Sequence, residues 1–164
     1  MDSNLPTPLL VGLTGVGATA LMDLWLWGLR RLKRPGMDMA LLGRWLGHGL
    51  RGRWRHAQIA RAAPVAGERA LGWGLHYGTG VAFAGLLALG VDATWWHQPE
   101  PAAALALGVT TVLAPFCIMQ PAMGAGLAAS RTPTPWRNRL RSLASHSVFG
   151  LGLYLSARLL APWA

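Results

Sequence analysis

Apolar residues in this 164-residue chain come in runs of about twenty, the length that crosses a bilayer core as one helix. The runs cover about 9–29, 70–90, 102–121 and 142–161. No alternating period-two pattern marks strands. Inside a bilayer each backbone polar group must be satisfied within its own segment, so such runs predict helices. Between the first two runs, Met37 to Leu50 mixes apolar residues with Arg44 and His48. That pattern, with Trp45 and Trp54 nearby, predicts one or two short helices in the plane of the headgroups. The expected fold class is all-α: a polytopic membrane protein with four transmembrane helices in a bundle, in one domain.

Charge sharpens this picture. Fourteen of the fifteen Lys and Arg residues lie in two clusters, Arg30 to Arg69 and Arg131 to Arg141; only Arg158 stands apart. Basic loops are retained on the cytoplasmic side of a membrane. The chain therefore reads as a membrane protein with segments 30–69 and 122–141 cytoplasmic and both termini outside. The first basic cluster ends the first run at RRLKRPG, where Pro35-Gly36 breaks the helix. The N-terminus, MDSNLPTP, has no basic residue, which argues against a cleaved secretory signal. The net charge of +9 stops wherever apolar runs begin, so membrane topology accounts for it and nucleic acid is not an expected partner. Membrane lipids are, through anionic headgroups at the basic loops. Cys117, the one cysteine, excludes an internal disulfide and reads as a small hydrophobe.

Small residues recur at three- and four-residue steps on three of the runs: Gly12, Gly15, Thr19 and Asp23; Gly72, His76, Gly80 and Ala84; Ser142, His146, Gly150 and Tyr154. Such stripes are packing seams for membrane helices. Each also carries one ionisable residue. Counting residues places Asp23, His76 and His146 about 6–9 Å below the cytoplasmic boundary. A charge in hydrocarbon costs about 2.5–3.5 kcal/mol even on the lenient insertion scale, so these groups should face inward and find partners. Glu68, Tyr77 and Gln120 fall close by.

Two chemistries compete for this layer. His76, His146, Asp23 and Glu68 are a donor set for a divalent metal, with Tyr77 and Gln120 as supporting donors. Without a metal, the same side chains make an interhelical hydrogen-bond network. Haem ligation by His76 and His146 is a further reading, and it requires a wide cleft between their helices. The turn GAGLAASRTP (124–133) offers Ser130, Arg131 and Thr132 to an anion or lipid headgroup, but it lacks the lysine and spacing of a nucleotide loop. No motif defines a reaction. A non-catalytic subunit of a larger membrane complex, or an enzyme or transporter of a lipid or small amphiphile, therefore stands beside the polar-site reading.

The segments GRWLGH, PVAGERALGWGLHYGTGVAFA, APFCIMQPAMGAGLAASRTP and SHSVFGLGLYLSA resemble the domain of unknown function 2938 family of small bacterial membrane proteins. The resemblance implies an inner-membrane location and a four-span layout. It implies no activity, substrate or catalytic residue.

Overall fold

A computed structural model of the chain describes residues 5–32 and 38–164. The Lys33 to Gly36 part of the basic stop and the first four residues lie outside that set. Seven α-helices occur among the described residues, and no strand: α1 (Thr7–Arg31), α2 (Met39–Gly49), α3 (Glu68–Gly90), α4 (Ala93–His97), α5 (Pro101–Thr110), α6 (Gln120–Ala122) and α7 (Pro135–Leu160). Prolines at the first helical positions start α1, α5 and α7, where a missing N–H costs nothing. Pro115 and Pro121 disturb the third apolar run. After α5 the chain passes through a π-helical turn, Pro115–Met119, before α6.

Two helical stretches, Thr7–Arg31 and Pro101–Ala122, are long and apolar enough to cross a membrane. Only 28% and 22% of their apolar windows are buried inside the protein. A core helix of a water-soluble domain would be mostly covered. Here Leu13, Val16, Leu24, Leu113 and Ile118 face outward instead. The helices α3 and α7 are of similar length, at 23 and 26 residues, but fall outside that pair. One carries six glycines with His76 and Tyr77; the other opens with Arg137, Arg139 and Arg141. α7 begins at Pro135, ahead of the apolar run at Ser142, because arginine is a good helix former and these three extend the helix toward the basic end.

Glycine seams hold the long helices together. A Cβ at Gly15 would lie 2.6 Å from Val81 Cα, and one at Gly152 would lie 2.7 Å from Ala18 Cα. Gly108 meets the backbone of Gly150. These contacts place α1 between α3 and α7, with α5 against α7. Neighbours run antiparallel. Leu5 N–H donates to the Trp163 carbonyl at 2.6 Å, so the start of α1 and the end of α7 meet at the bundle end opposite the basic loops. Phe83 and Phe149 close the centre with ring centroids 6.1 Å apart.

The segment between α1 and α3 differs from the expected headgroup-plane helix. α2 runs antiparallel to the start of α3: Gly43 abuts the Glu68 carbonyl, Gly72 abuts the Met39 carbonyl and Gly47 abuts Val65. Backbone-to-backbone packing through Gly43 and Gly72 draws it against the bundle.

Candidate functional site

One polar side chain from each long helix arrives at a common level. On α1, Thr19 and Gly15 pack against Gly80 of α3. One turn further toward the basic end, Asp23 Oδ1 meets His76 Nε2 at 3.0 Å. The two side chains are only 17% and 12% exposed. On the other side of the bundle, His146 Nδ1 lies 2.8 Å from Thr111 Oγ1. The contact of Ala18 with Gly152 aligns α1 with α7, so His146 falls level with Asp23, and its imidazole is within electrostatic range of His76. Asp23 and His76 each stand eight residues from the basic end of their helix, about 12 Å by helical rise. That is farther from the helix ends than the apolar runs alone implied, because α1 and α3 run on past those runs.

The hydrogen bonds dictate tautomers. A carboxylate only accepts, so Asp23 holds the proton of a neutral His76 on Nε2 and leaves Nδ1 as the acceptor nitrogen. Thr111 donates its one hydroxyl hydrogen to the Gly108 carbonyl at 2.6 Å. His146 must therefore donate from Nδ1 to Thr111, which leaves Nε2 as its lone-pair nitrogen. Two imidazoles are thus each anchored through one nitrogen and basic at the other. Around them, Trp73 and Tyr77 pack at 5.9 and 5.6 Å from the His76 ring centroid. The Tyr77 hydroxyl is within reach of the Asp23 carboxylate, whose Oδ2 is buried without a hydrogen-bond partner.

The other expected site residues go elsewhere. Glu68 does not join the layer: Arg44 of α2 forks it, with Nε to Oε2 and Nη2 to Oε1 both at 2.8 Å. Val65 N–H adds a third bond to Oε2 at 3.0 Å. Arg44 also donates to the carbonyls of Ala62 and Ala60 at 3.1 and 3.3 Å, so it clamps α2, the loop and α3 together. The fork and the Val65 amide hold the Glu68 carboxyl at about 2, well below the usual carboxylate range. Gln120 lies nine residues beyond Thr111 toward the basic end, with its Oε1 buried and unpartnered. With Glu68 and Gln120 outside, no group of three or more His, Cys, Asp or Glu side chains that could hold a metal ion exists among the described residues. The wide cleft that haem requires is also at odds with seams where Gly15 and Gly152 bring helix backbones into contact.

The turn at 124–132 closes on itself. Gly124, Gly126, Ala128 and Ala129 all have positive φ, a strained conformation for the two alanines. Thr132 Oγ1 donates to the Ala129 carbonyl and accepts from Asn138, while Arg139 Nε donates to the Ala128 carbonyl. Ser130 and Arg131 are exposed beside them. Thr111 and Arg44 are the partners that sort these residues. Thr111 is the one signal that was available: a hydroxyl in the third apolar run, at a position from which it can cross to a facing helix.

An all-helical chain with two helices fit to cross a membrane and a part-buried histidine layer is the class these observations define. The chain belongs to the family described as Protein of unknown function (DUF2938), which it matches over residues 12–160. No curated protein and no solved structure matches it.

Proposed function

We propose that this chain is an integral inner-membrane protein in which α1, α3, the α5–α6 stretch and α7 all span the bilayer. Its basic loops lie in the cytoplasm and meet anionic lipid headgroups through Ser130 and Arg131, and both termini lie outside. Within the inner half of the membrane, Asp23, His76 and His146 form a polar station that accepts a proton or the donor group of a small ligand. The observation that carries this reading is the pair of anchored imidazoles, each with a free basic nitrogen at the same level of the bundle. A purely structural polar contact needs no such alignment across four helices.

Nitrogen-15 histidine spectroscopy in lipid nanodiscs tests it. His76 should appear as the Nε2–H form and His146 as the Nδ1–H form. Asp23→Ala should release the His76 preference and leave His146 as it was. Opposite tautomers would remove the station.

Topology has its own test. Cys117 is exposed within the α5–α6 stretch and so faces lipid in this layout. A lipid-soluble maleimide should label it in intact membranes, while a membrane-impermeant one should not. Rapid labelling by the impermeant reagent would place this stretch in water.

A second reading, as a subunit within a larger membrane assembly, rests on one face of α3. Ala70, Gly74, Gly78 and Ala82 form an exposed small-residue stripe, and a Cβ built at either glycine meets nothing within 4 Å. Stripes of this kind let a second helix approach closely. Gly74→Leu with Gly78→Leu should reduce the assembly measured by light scattering to the single chain without loss of helix. An unchanged mass would leave the stripe as plain lipid-facing surface.

A further inference from the structure

Two other histidines form a cluster at the basic end. The loop after α2 is stitched to the break after α6: His56 N–H donates to the Ala122 carbonyl at 2.8 Å, and Ile59 N–H to the Met123 carbonyl at 3.1 Å. Gly124, with φ +95°, fits against the Ala57 carbonyl where a side chain would collide. This fold-back buries His56 to 8% exposure and sets its ring 5.0 Å from that of His48, inclined at 65°. Neither ring nitrogen of His56 has a hydrogen-bond partner. Buried polar atoms are almost always partnered, so an imidazole orphaned at both nitrogens calls for a ligand.

His48 stands beside that imidazole, anchored through its far nitrogen. Its Nε2 lies 2.9 Å from the Ala63 carbonyl. A carbonyl only accepts, so Nε2 carries the proton and Nδ1 presents a lone pair. Metal-ligating histidines are held in this way, by a backbone carbonyl on the far nitrogen. We propose that His48 and His56 together bind one divalent transition-metal ion of zinc type, with water filling the remaining positions. Two imidazoles on one tetrahedral ion, with metal–nitrogen bonds of about 2.0–2.1 Å, hold their ring centres about 5 Å apart. The observed ring spacing of 5.0 Å is compatible with that geometry.

The surroundings set limits on affinity. Arg53 acts electrostatically on His56 and opposes a dication. Burial, His48 and Arg53 also push the His56 imidazole below its ordinary range, which keeps it in the neutral form that ligates metals. The cluster shares no residue with the Asp23–His76–His146 layer, so the two stand or fall separately.

The full chain, purified in detergent and stripped with a chelator, is titrated with zinc(II), and with cobalt(II) as an optical probe. One ion per chain is expected. His48→Ala and His56→Gln should each weaken binding by at least about tenfold. The double variant His76→Ala, His146→Ala should bind as the parent does. Helix content by circular dichroism accompanies every variant. If His56→Gln does not fold, the half-buried His48 decides through His48→Ala. No uptake by the parent chain, undiminished binding in the His48 variant, or loss of binding only in the His76–His146 variant would each overturn the proposal.

Discussion

Gly108→Val separates α5 from α7 and lowers the melting temperature in detergent by roughly 5–10 °C, as a few kcal/mol of overpacking does in a chain of this size. The reason is the nature of the neighbours. A Cβ at position 108 meets Gly150 Cα and N and, at 2.9 Å, the His146 carbonyl oxygen. All three belong to backbone, so no rotamer change relieves the collision and the helices must move apart. One turn along, Thr111 takes its geometry from the Gly108 carbonyl and passes it to His146. The substitution should therefore also disturb the His146 tautomer. Gly85→Val is the control, because nothing lies within 4 Å of a Cβ there. Differential scanning fluorimetry of the two variants checks this. Equal melting temperatures would show that the seam between α5 and α7 does not hold the bundle.

Arg44→Ala frees the loop between α2 and α3. This one guanidinium satisfies both oxygens of Glu68 and two loop carbonyls, and it ties together three segments that share no other ion pair among the described residues. Limited proteolysis within residues 51–66 should accelerate on the order of tenfold, since local opening rather than global unfolding exposes such a loop. Acid should mimic the variant. Glu68 titrates at about 2 in the fold against 4.5 without it, so its contribution is complete above pH 4.5 and is lost as pH falls from 4.5 toward 2. Glu68→Gln should remove that acid dependence, and the double variant should be little worse than either single one. A parent chain whose loop resists protease equally at neutral and acid pH would contradict the clamp.

Apolar run length made the helices legible because a helix satisfies its own backbone within its segment, a demand that acts on local sequence. The small-residue stripes were legible for a related reason. Gly15, Gly80, Gly150 and their neighbours repeat at the helical period, so the faces that meet are written along each run. The level shared by Asp23, His76 and His146 followed from residue counts alone. Ends were less visible. α7 starts at Pro135 because arginines that mark a loop by charge are good helix formers, and charge pattern cannot separate the two.

Partner choice was out of reach of sequence. Asp23, Glu68, His76 and His146 looked like one donor set, since composition and depth treat all carboxylates alike. Whether Glu68 meets the layer or Arg44 depends on α2 folding back against α3, and Gly43 and Gly72 permit that only once both backbones are in place. The same holds for His48 and His56, brought together by a loop stitched to residues 122–124. By itself, then, the sequence determined the helical class, the apolar runs, the clustering of basic charge and which runs carry a polar side chain, all of which are set within a few turns of chain. Tertiary structure alone decided which polar groups touch, because hydrogen bonds form across 2.5–3.5 Å between segments dozens of residues apart, and only the packed backbones set those distances.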